Sequence, residues 1–259
     1  MGYPTLTYQT DGAVATIALT VPEKRNAISA QMITDLLGAL DQAEQAANVV
    51  IITGSGKAFC AGMDLDELQH IARQALPKNL EDARRMTKLL YRLHSFPKPV
   101  IAAVNGPAIA GGCGIATLAD FTIAVPEAKF GYTEVKLGFM PALVSVFLRR
   151  RIGDRQVRDL LLTGRIIEAA EALRMGLITE VVPLESLMDR AREIAAVLLE
   201  ASPTAIAQTK RLLLGFDRVA IRAELEAAIE ASADIRATPD FKEGVGAFLE
   251  KRPPKWGKS

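Results

Sequence analysis

Residues 99–141, PVIAAVNGPAIAGGCGIATLADFTIAVPEAKFGYTEVKLGFMP, form the stretch that decides the fold of this chain. The stretch opens with an apolar run at 100–104, which predicts a buried strand, and a breaker cluster at 105–107 ends that strand. Three glycines at 111–114 then precede a short apolar run that predicts a helix. Because N–H groups at a helix start have no partner inside the helix, this turn predicts a site for an anion, or for an oxygen that becomes one during a reaction.

A single carboxylate, Glu134, follows this turn within the same stretch, next to a turn at 135–138. A carboxylate beside a turn that stabilises an oxyanion is the minimum equipment for proton chemistry next to a carbonyl group. Taken by itself, Glu134 is more typical of an exposed loop than of a catalytic site, and this simpler interpretation predicts a surface carboxylate.

A second turn of small residues, KAFCAGMDL at 57–65, follows another apolar run at 49–52. If the two strands are neighbours in a parallel sheet, both turns open at the same edge, and the N–H groups of Met63 and Gly111 can converge on one oxygen. Plain strand-to-helix turns explain these residues as well, so both interpretations stay open. Asp64 and Asp120 are predicted to be caps or turn formers.

Other catalytic arrangements fit the sequence less well. Residues 112–117, GCGIAT, approximate a dinucleotide-binding fingerprint, but a threonine replaces the last glycine and several residues separate the strand from the glycines. His70 and His94 are too isolated for a catalytic triad or a metal cluster. Cys60 and Cys113 are predicted to be reduced thiols, with Cys113 a small buried core residue.

Composition excludes several classes of protein. The 259 residues carry a net charge of +1, which gives no electrostatic case for binding nucleic acid or an anionic membrane. The first ten residues lack the layout of a signal peptide, and no apolar run approaches transmembrane length, so we expect a cytoplasmic protein. With 49% hydrophobic residues, the chain is predicted to be one large globular domain or a domain with an appendage.

The pattern of elements changes near residue 182. Up to that point strands and helices are mixed: a hairpin turns at Asp11-Gly12, Ser29 caps a helix, and polar residues 66–79 predict a mobile segment. Beyond it the periodicity is helical. We therefore predict an α/β catalytic core at 1–182 and a helical region at 183–259.

Many ordered fragments of the chain resemble the enoyl-CoA hydratase/isomerase, or crotonase, superfamily, and the likeness covers nearly all of it. The resemblance implies a spiral of ββα units, C-terminal helices that build a homotrimer or a hexamer, and an acyl-CoA thioester as substrate, with no metal and no cofactor beyond the coenzyme A of the substrate. The matching fragments are 22–27 (PEKRNA), 57–65 (KAFCAGMDL), 103–106 (AVNG), 111–113 (GGC), 130–131 (FG) with Glu134, 137–138 (LG), 162–165 (LTGR), 176–178 (GLI), 181–183 (VVP) and 247–252 (AFLEKR).

The resemblance also implies roles for individual residues. The N–H groups of Met63 and Gly111 are expected to hold the thioester oxygen and stabilise an enolate, and Glu134 matches the second of the two glutamates that familiar hydratases use. Phe248 and Lys251 match residues that reach coenzyme A, often across a subunit boundary. The remaining residues expected to bind coenzyme A are Lys24, Arg25, Ala27, Ala61 and Asp64.

One position departs from the family pattern: Gly114 stands where familiar hydratases have their first glutamate. We expect this glycine to set which reaction the site performs and to leave room for a bulkier acyl chain or a water. Residues 135–145, VKLGFMPALVS, look most like bacterial methylglutaconyl-CoA hydratase-type proteins. The chain is therefore predicted to be an enoyl-CoA hydratase, with Δ3,Δ2-enoyl-CoA isomerase second. A scaffold or RNA-binding member is a third hypothesis, which the near-neutral charge disfavours.

Overall fold

Nine strands form two sheets within residues 2–257, the part of the chain that the computed structural model describes. The strands are β1 (Leu6–Asp11), β2 (Val14–Leu19), β3 (Val49–Gly54), β4 (Val100–Val104), β5 (Ala108–Ile109), β6 (Phe121–Ala124), β7 (Lys129–Gly131), β8 (Ile166–Glu168) and β9 (Glu180–Val181). The larger sheet has the order β1-β2-β3-β4-β6-β9, and the smaller has the order β5-β7-β8.

Ten α-helices surround the sheets in the described residues. None of these helices is both long enough and apolar enough to cross a membrane. They are α1 (Ala30–Ala46), α2 (Leu65–Ile71), α3 (Leu76–His94), α4 (Gly111–Leu118), α5 (Ala142–Leu148), α6 (Asp154–Thr163), α7 (Ala169–Arg174), α8 (Leu187–Leu199), α9 (Pro203–Ile235) and α10 (Pro239–Leu249).

The larger sheet begins with the predicted hairpin and continues in parallel. β1 and β2 are antiparallel, and Gly12 has the positive φ of 55° that their tight turn requires. From β2 onward the strands run parallel, through β3, β4 and β6 to β9. Every residue of β4 is buried, as expected for a parallel strand covered on both faces.

The smaller sheet places Glu134 next to the glycine-rich turn. β5 pairs in parallel with β7, and the Ala110 N–H donates to the Gly131 carbonyl at 2.7 Å. Gly111 follows Ala110 directly, and Glu134 lies three residues after Gly131. A pairing between strands more than twenty residues apart thus brings together the two features that the sequence singles out.

The structure shows how two segments of the predicted outline fold. Residues 66–79, predicted as a mobile segment, instead contain most of α2 and the start of α3, because Leu68 and Ile71 pack into a small apolar cluster with Phe241 and Val245. The helical region after 182 forms α8, α9 and α10, and α8 and α9 bury residues in the same core as the sheets. The functional division at residue 182 stays a prediction.

Candidate active site

Two turns lie side by side at the carboxyl ends of β3 and β4. These strands are parallel neighbours, as the sequence predicts. Beyond them, Cys60 and Ala108 form a parallel bridge, and the Ile109 N–H donates to the Cys60 carbonyl at 2.9 Å. The turn at 57–65 and the turn before α4 therefore open at the same edge of the sheet.

Glycines allow this close approach. A Cβ atom at Gly62, which has a φ of +90°, would lie 3.0 Å from the Ile109 carbonyl oxygen. A Cβ atom at Gly112 would lie 2.4 Å from the Cys60 carbonyl oxygen. Between them Ala110 adopts φ 50° and ψ −123°, a strained conformation for a residue with a side chain. Such strain persists only where the surrounding structure enforces it.

Two backbone donors remain free at this junction. The Ile28 N–H donates to the Gly62 carbonyl and the Asp64 N–H to the Ile28 carbonyl, but the Met63 N–H between them has no partner among residues 2–257. Gly111 is the first residue of α4, so its N–H has no intrahelical acceptor, and no other described residue accepts from it. Both donors are available to a ligand oxygen.

Glu134 is buried, so the interpretation as a surface carboxylate is wrong. It begins a 3₁₀ turn, Glu134–Leu137, and only 8% of the residue is exposed. Its Oε2 atom has no hydrogen-bond partner among the described residues. Loss of hydration on burial disfavours the charged form and raises the pKa of Glu134 from 4.5 to about 7. A carboxyl group with that pKa can both take and return a proton near neutral pH.

One cavity of about 1520 Å³ joins these groups. Met63, Gly111 and Glu134 all line it, whereas Gly114 and Lys251 do not. The predicted coenzyme A residues that line the same cavity are Lys24, Arg25, Ala27, Ala61, Asp64 and Phe248.

The loop that carries Lys24 and Arg25 is anchored by a residue that sequence reasoning did not single out. Asn26 is fully buried, and its side-chain amide donates to the carbonyls of Ser55 and Ala58, both at 2.9 Å. Lys24 Nζ lies 2.9 Å from carboxylate oxygens of both Asp66 and Asp64, and these two contacts raise the pKa of Lys24. Asp64 also caps α2, as predicted.

Gly114 does not leave the free space that the sequence suggests. A Cβ atom there would lie 2.7 Å from Val144 Cγ1, and Leu90 Cδ2 is the next nearest atom at 3.6 Å. Val144, on α5, lines the cavity in place of Gly114. The expectation of room at this position is therefore wrong, because a side chain thirty residues away fills it.

We expect a measurable coupling between these two residues. Gly114→Ala should destabilise the wild-type protein more than a Val144→Ala background, by about 1–3 kcal/mol, because the added methyl group overpacks only against the intact valine. Urea unfolding of the four proteins in this cycle measures the difference. Equal costs in both backgrounds would contradict the packing described above.

The remaining candidates have structural explanations. Cys60 and Cys113 are both free and fully buried, and loss of hydration raises the pKa of each thiol to about 12. Cys113 is the buried core residue that the sequence predicts. His94 ends α3 against Phe147, and burial lowers its pKa to about 4. Within residues 2–257, no three side chains of His, Cys, Asp or Glu are grouped to hold a metal ion.

Known proteins are similar to this chain in both sequence and architecture. The profile of the enoyl-CoA hydratase/isomerase family matches residues 9–259. The chain belongs to that family. It is therefore an enzyme of the enoyl-CoA hydratase/isomerase family, and the fragments from PEKRNA to AFLEKR identify the family correctly.

Individual relatives match over almost their full length. A protein from Thermus thermophilus, whose name places it among the enoyl-CoA hydratases, is 42% identical over 247 residues, which are 95% of this chain and 98% of the relative. The 2,3-dehydroadipyl-CoA hydratase of Escherichia coli is 35% identical over 93% of this chain and 94% of its own. An enoyl-CoA hydratase/isomerase crystal structure from Xanthobacter autotrophicus has a TM-score of 0.88 at 30% identity, covering 96% of this chain and 97% of that one. The predicted crotonase fold is confirmed.

Part of the cavity wall is formed by residues that no sequence pattern indicates. Asp82 on α3, Ser232 on α9 and Arg236 directly after α9 all line the cavity. About 150 positions separate Asp82 from the other two, and each side chain fits an ordinary helical surface in the sequence. Only the packing of α9 against α3 reveals them.

Proposed function

We propose that this chain is an enoyl-CoA hydratase in which Glu134 is the single acid and base. The observation that carries the proposal is the buried Glu134 carboxyl, whose unpaired Oε2 shares a cavity with the free N–H groups of Met63 and Gly111. Asp64 and Asp66, two other carboxylates of the cavity, both contact Lys24. The relatives from Thermus thermophilus and Escherichia coli are both named as hydratases, which supports the same activity.

The proposed reaction uses both the backbone N–H groups and the Glu134 carboxyl group. The Met63 and Gly111 N–H groups hold the thioester oxygen and stabilise the negative charge that it gains. Glu134 takes a proton from a water molecule as the water oxygen bonds to the β-carbon, which gives an enolate. Protonated Glu134 then returns that proton to the α-carbon. One water has been added, and the carboxylate is regenerated for the next turnover.

Isomerisation is the second candidate, because a single carboxylate is sufficient for it. Glu134 would take a proton from the α-carbon of a 3-enoyl-CoA and return it two carbons further along the chain. The same two N–H groups would stabilise the enolate between these steps. A panel of 2-enoyl- and 3-enoyl-CoA thioesters, assayed for both hydration and bond migration, distinguishes the two activities. Faster migration than hydration would place the chain with the isomerases.

Within the hydratases, we propose kinship with the methylglutaconyl-CoA hydratase type and a branched acyl chain. The support is Gly114 at the first glutamate position and the segment VKLGFMPALVS at 135–145. Room for branching would come from the cavity of about 1520 Å³ rather than from Gly114. Relative kcat/KM values for branched and straight 2-enoyl-CoA thioesters test this assignment.

Coenzyme A is proposed to bind along the wall formed by Lys24, Arg25 and Ala61, with Phe248 beside it. In this structure Phe248 lines the cavity of its own chain, which supports a contact within one subunit. Lys251 is exposed and adopts a positive φ of 54°, and its proposed contact is with the nucleotide end. We also propose a homotrimer or hexamer, supported by an exposed apolar face on α9 formed by Leu212, Leu213, Phe216 and Val219.

The raised pKa of Glu134 predicts a distinctive pH dependence. Glu134 acts first as a base, so its deprotonated form is required, and a pKa of about 7 means that this form is lost below neutral pH. The hydration rate, kcat/KM, should therefore rise with pH to a midpoint near 7 and fall about tenfold per pH unit well below it. A midpoint near the ordinary 4.5 of glutamate would contradict the raised pKa of Glu134.

A further inference from the structure

Three buried polar atoms without hydrogen-bond partners lie in one region between α3 and α9. They are Asn79 Oδ1, Ser232 Oγ and Arg236 Nε, each unpaired among the described residues. The three residues are only 1%, 1% and 3% exposed. A buried polar atom left unpaired costs about 1–3 kcal/mol, so three of them together indicate a partner that binds here.

This group of residues, with Asp82, forms the Arg236 cluster. Ser232 and Arg236 are four positions apart, so they share one helical face, and both line the cavity. Arg236 Nη1 donates to Asp82 Oδ2 at 2.7 Å, and the guanidinium lies 5.4 Å from the centre of the Phe139 ring. These contacts fix the guanidinium and leave its Nε–H edge free.

The Arg236 cluster lies close to the reacting centre. Met86, four residues after Asp82 on α3, places its Cε atom 3.1 Å from the position of a Cβ atom on Gly111. Asp82 is thus roughly 6 Å along α3, about one helical turn, from the residue that touches the oxyanion turn. Phe139, whose ring contacts the Arg236 guanidinium, donates its N–H to the Glu134 carbonyl at 3.1 Å. Asp82, Ser232 and Arg236 thus line the same cavity as Gly111 and Glu134.

We propose that Ser232 and Arg236 form a subsite for an oxygen atom at the far end of the acyl chain. This inference rests on the proposed function, since it concerns the substrate of the same cavity. The Arg236 Nε–H and the Ser232 hydroxyl group can both donate to such an oxygen. A purely hydrocarbon chain would leave both of these cavity atoms unpaired.

Hydroxyl and carboxylate oxygens both fit this chemistry. Asp82 already compensates the charge of Arg236, so a hydroxyl group adds no net charge to the buried cluster. A carboxylate would share the guanidinium with Asp82, as Asp159 and Glu171 share Arg165 elsewhere in this protein. The substrates chosen for the test separate these two sources of the oxygen.

The test compares three CoA thioesters with equal numbers of carbons: 2-hexenoyl-CoA, its ω-hydroxy analogue and its ω-carboxy analogue. For the wild-type enzyme, we expect kcat/KM for hydration of at least one oxygen-bearing thioester to exceed that of 2-hexenoyl-CoA by about tenfold. Calorimetric titration of the three saturated thioesters should give the same preference in Kd. This second readout does not depend on hydration, so failure of the proposed activity is distinguishable from failure of the subsite.

Variants identify the groups responsible. Ser232→Ala removes a hydroxyl group that has no protein partner, and Arg236→Lys retains a cation for Asp82 but removes the Nε–H. In each variant, the ratio of kcat/KM for the oxygen-bearing thioester to kcat/KM for 2-hexenoyl-CoA should fall toward one. The matched control is Ser186→Ala, an exposed serine outside the cavity that should keep the wild-type preference. Equal binding of all three saturated thioesters by the wild type, or an unchanged preference in folded Ser232→Ala, would overturn the proposal.

Discussion

Glu134→Gln should lower the hydration kcat by about 10²–10⁴-fold, the usual contribution of a positioned acid or base. The amide has nearly the shape of the carboxyl group but cannot exchange a proton as it does. The substitution replaces a buried group whose charged form is disfavoured, so the thermal midpoint should be no lower than that of the wild type above pH 7. Steady-state kinetics with a 2-enoyl-CoA thioester measures the loss.

A matched control for this substitution is Glu127→Gln, which changes an exposed glutamate outside the cavity and should keep wild-type turnover. Coenzyme A affinity should stay close to wild type in both variants, since the proposed coenzyme A wall is elsewhere in the cavity. If folded Glu134→Gln kept more than about a third of wild-type turnover, Glu134 would not be the acid and base.

Gly111→Pro should lower kcat by about 10²–10³-fold, because proline removes one of the two N–H groups proposed to hold the thioester oxygen. Gly111 is the first residue of α4, the helical position where proline is best tolerated. Kinetics and thermal unfolding of the purified variant separate lost transition-state stabilisation from lost folding.

The matched control is Gly111→Ala. Alanine adds a Cβ atom that meets the same neighbours, Ile28 Cδ1 and Met86 Cε at 3.1 Å, but it keeps the N–H. We therefore expect Gly111→Ala to retain most of the activity that Gly111→Pro loses. Equal losses in the two variants would mean that crowding by the Cβ atom, and not the missing donor, explains the effect.

Local sequence patterns predict the parts of the fold that depend on neighbouring residues. The hairpin at Asp11-Gly12, the cap at Ser29 and the buried strand at 100–104 all form where their chemistry predicts them. The segment at 66–79 shows the limit of this reasoning. Its polar residues and Pro77 do not break the helices there, because contacts with α10 bury Leu68 and Ile71.

The sequence by itself determined the family, the two glycine-bearing turns and the single carboxylate that follows them, because each depends on residue types at short, fixed spacing. Only the tertiary structure decided the burial and the neighbours of each of those residues. The pKa of Glu134 rises because distant segments exclude water from it, and the space at Gly114 is filled by Val144 from another helix. The Arg236 cluster joins residues about 150 positions apart. Burial and desolvation depend on which segments pack together, and a local pattern of residues does not encode that.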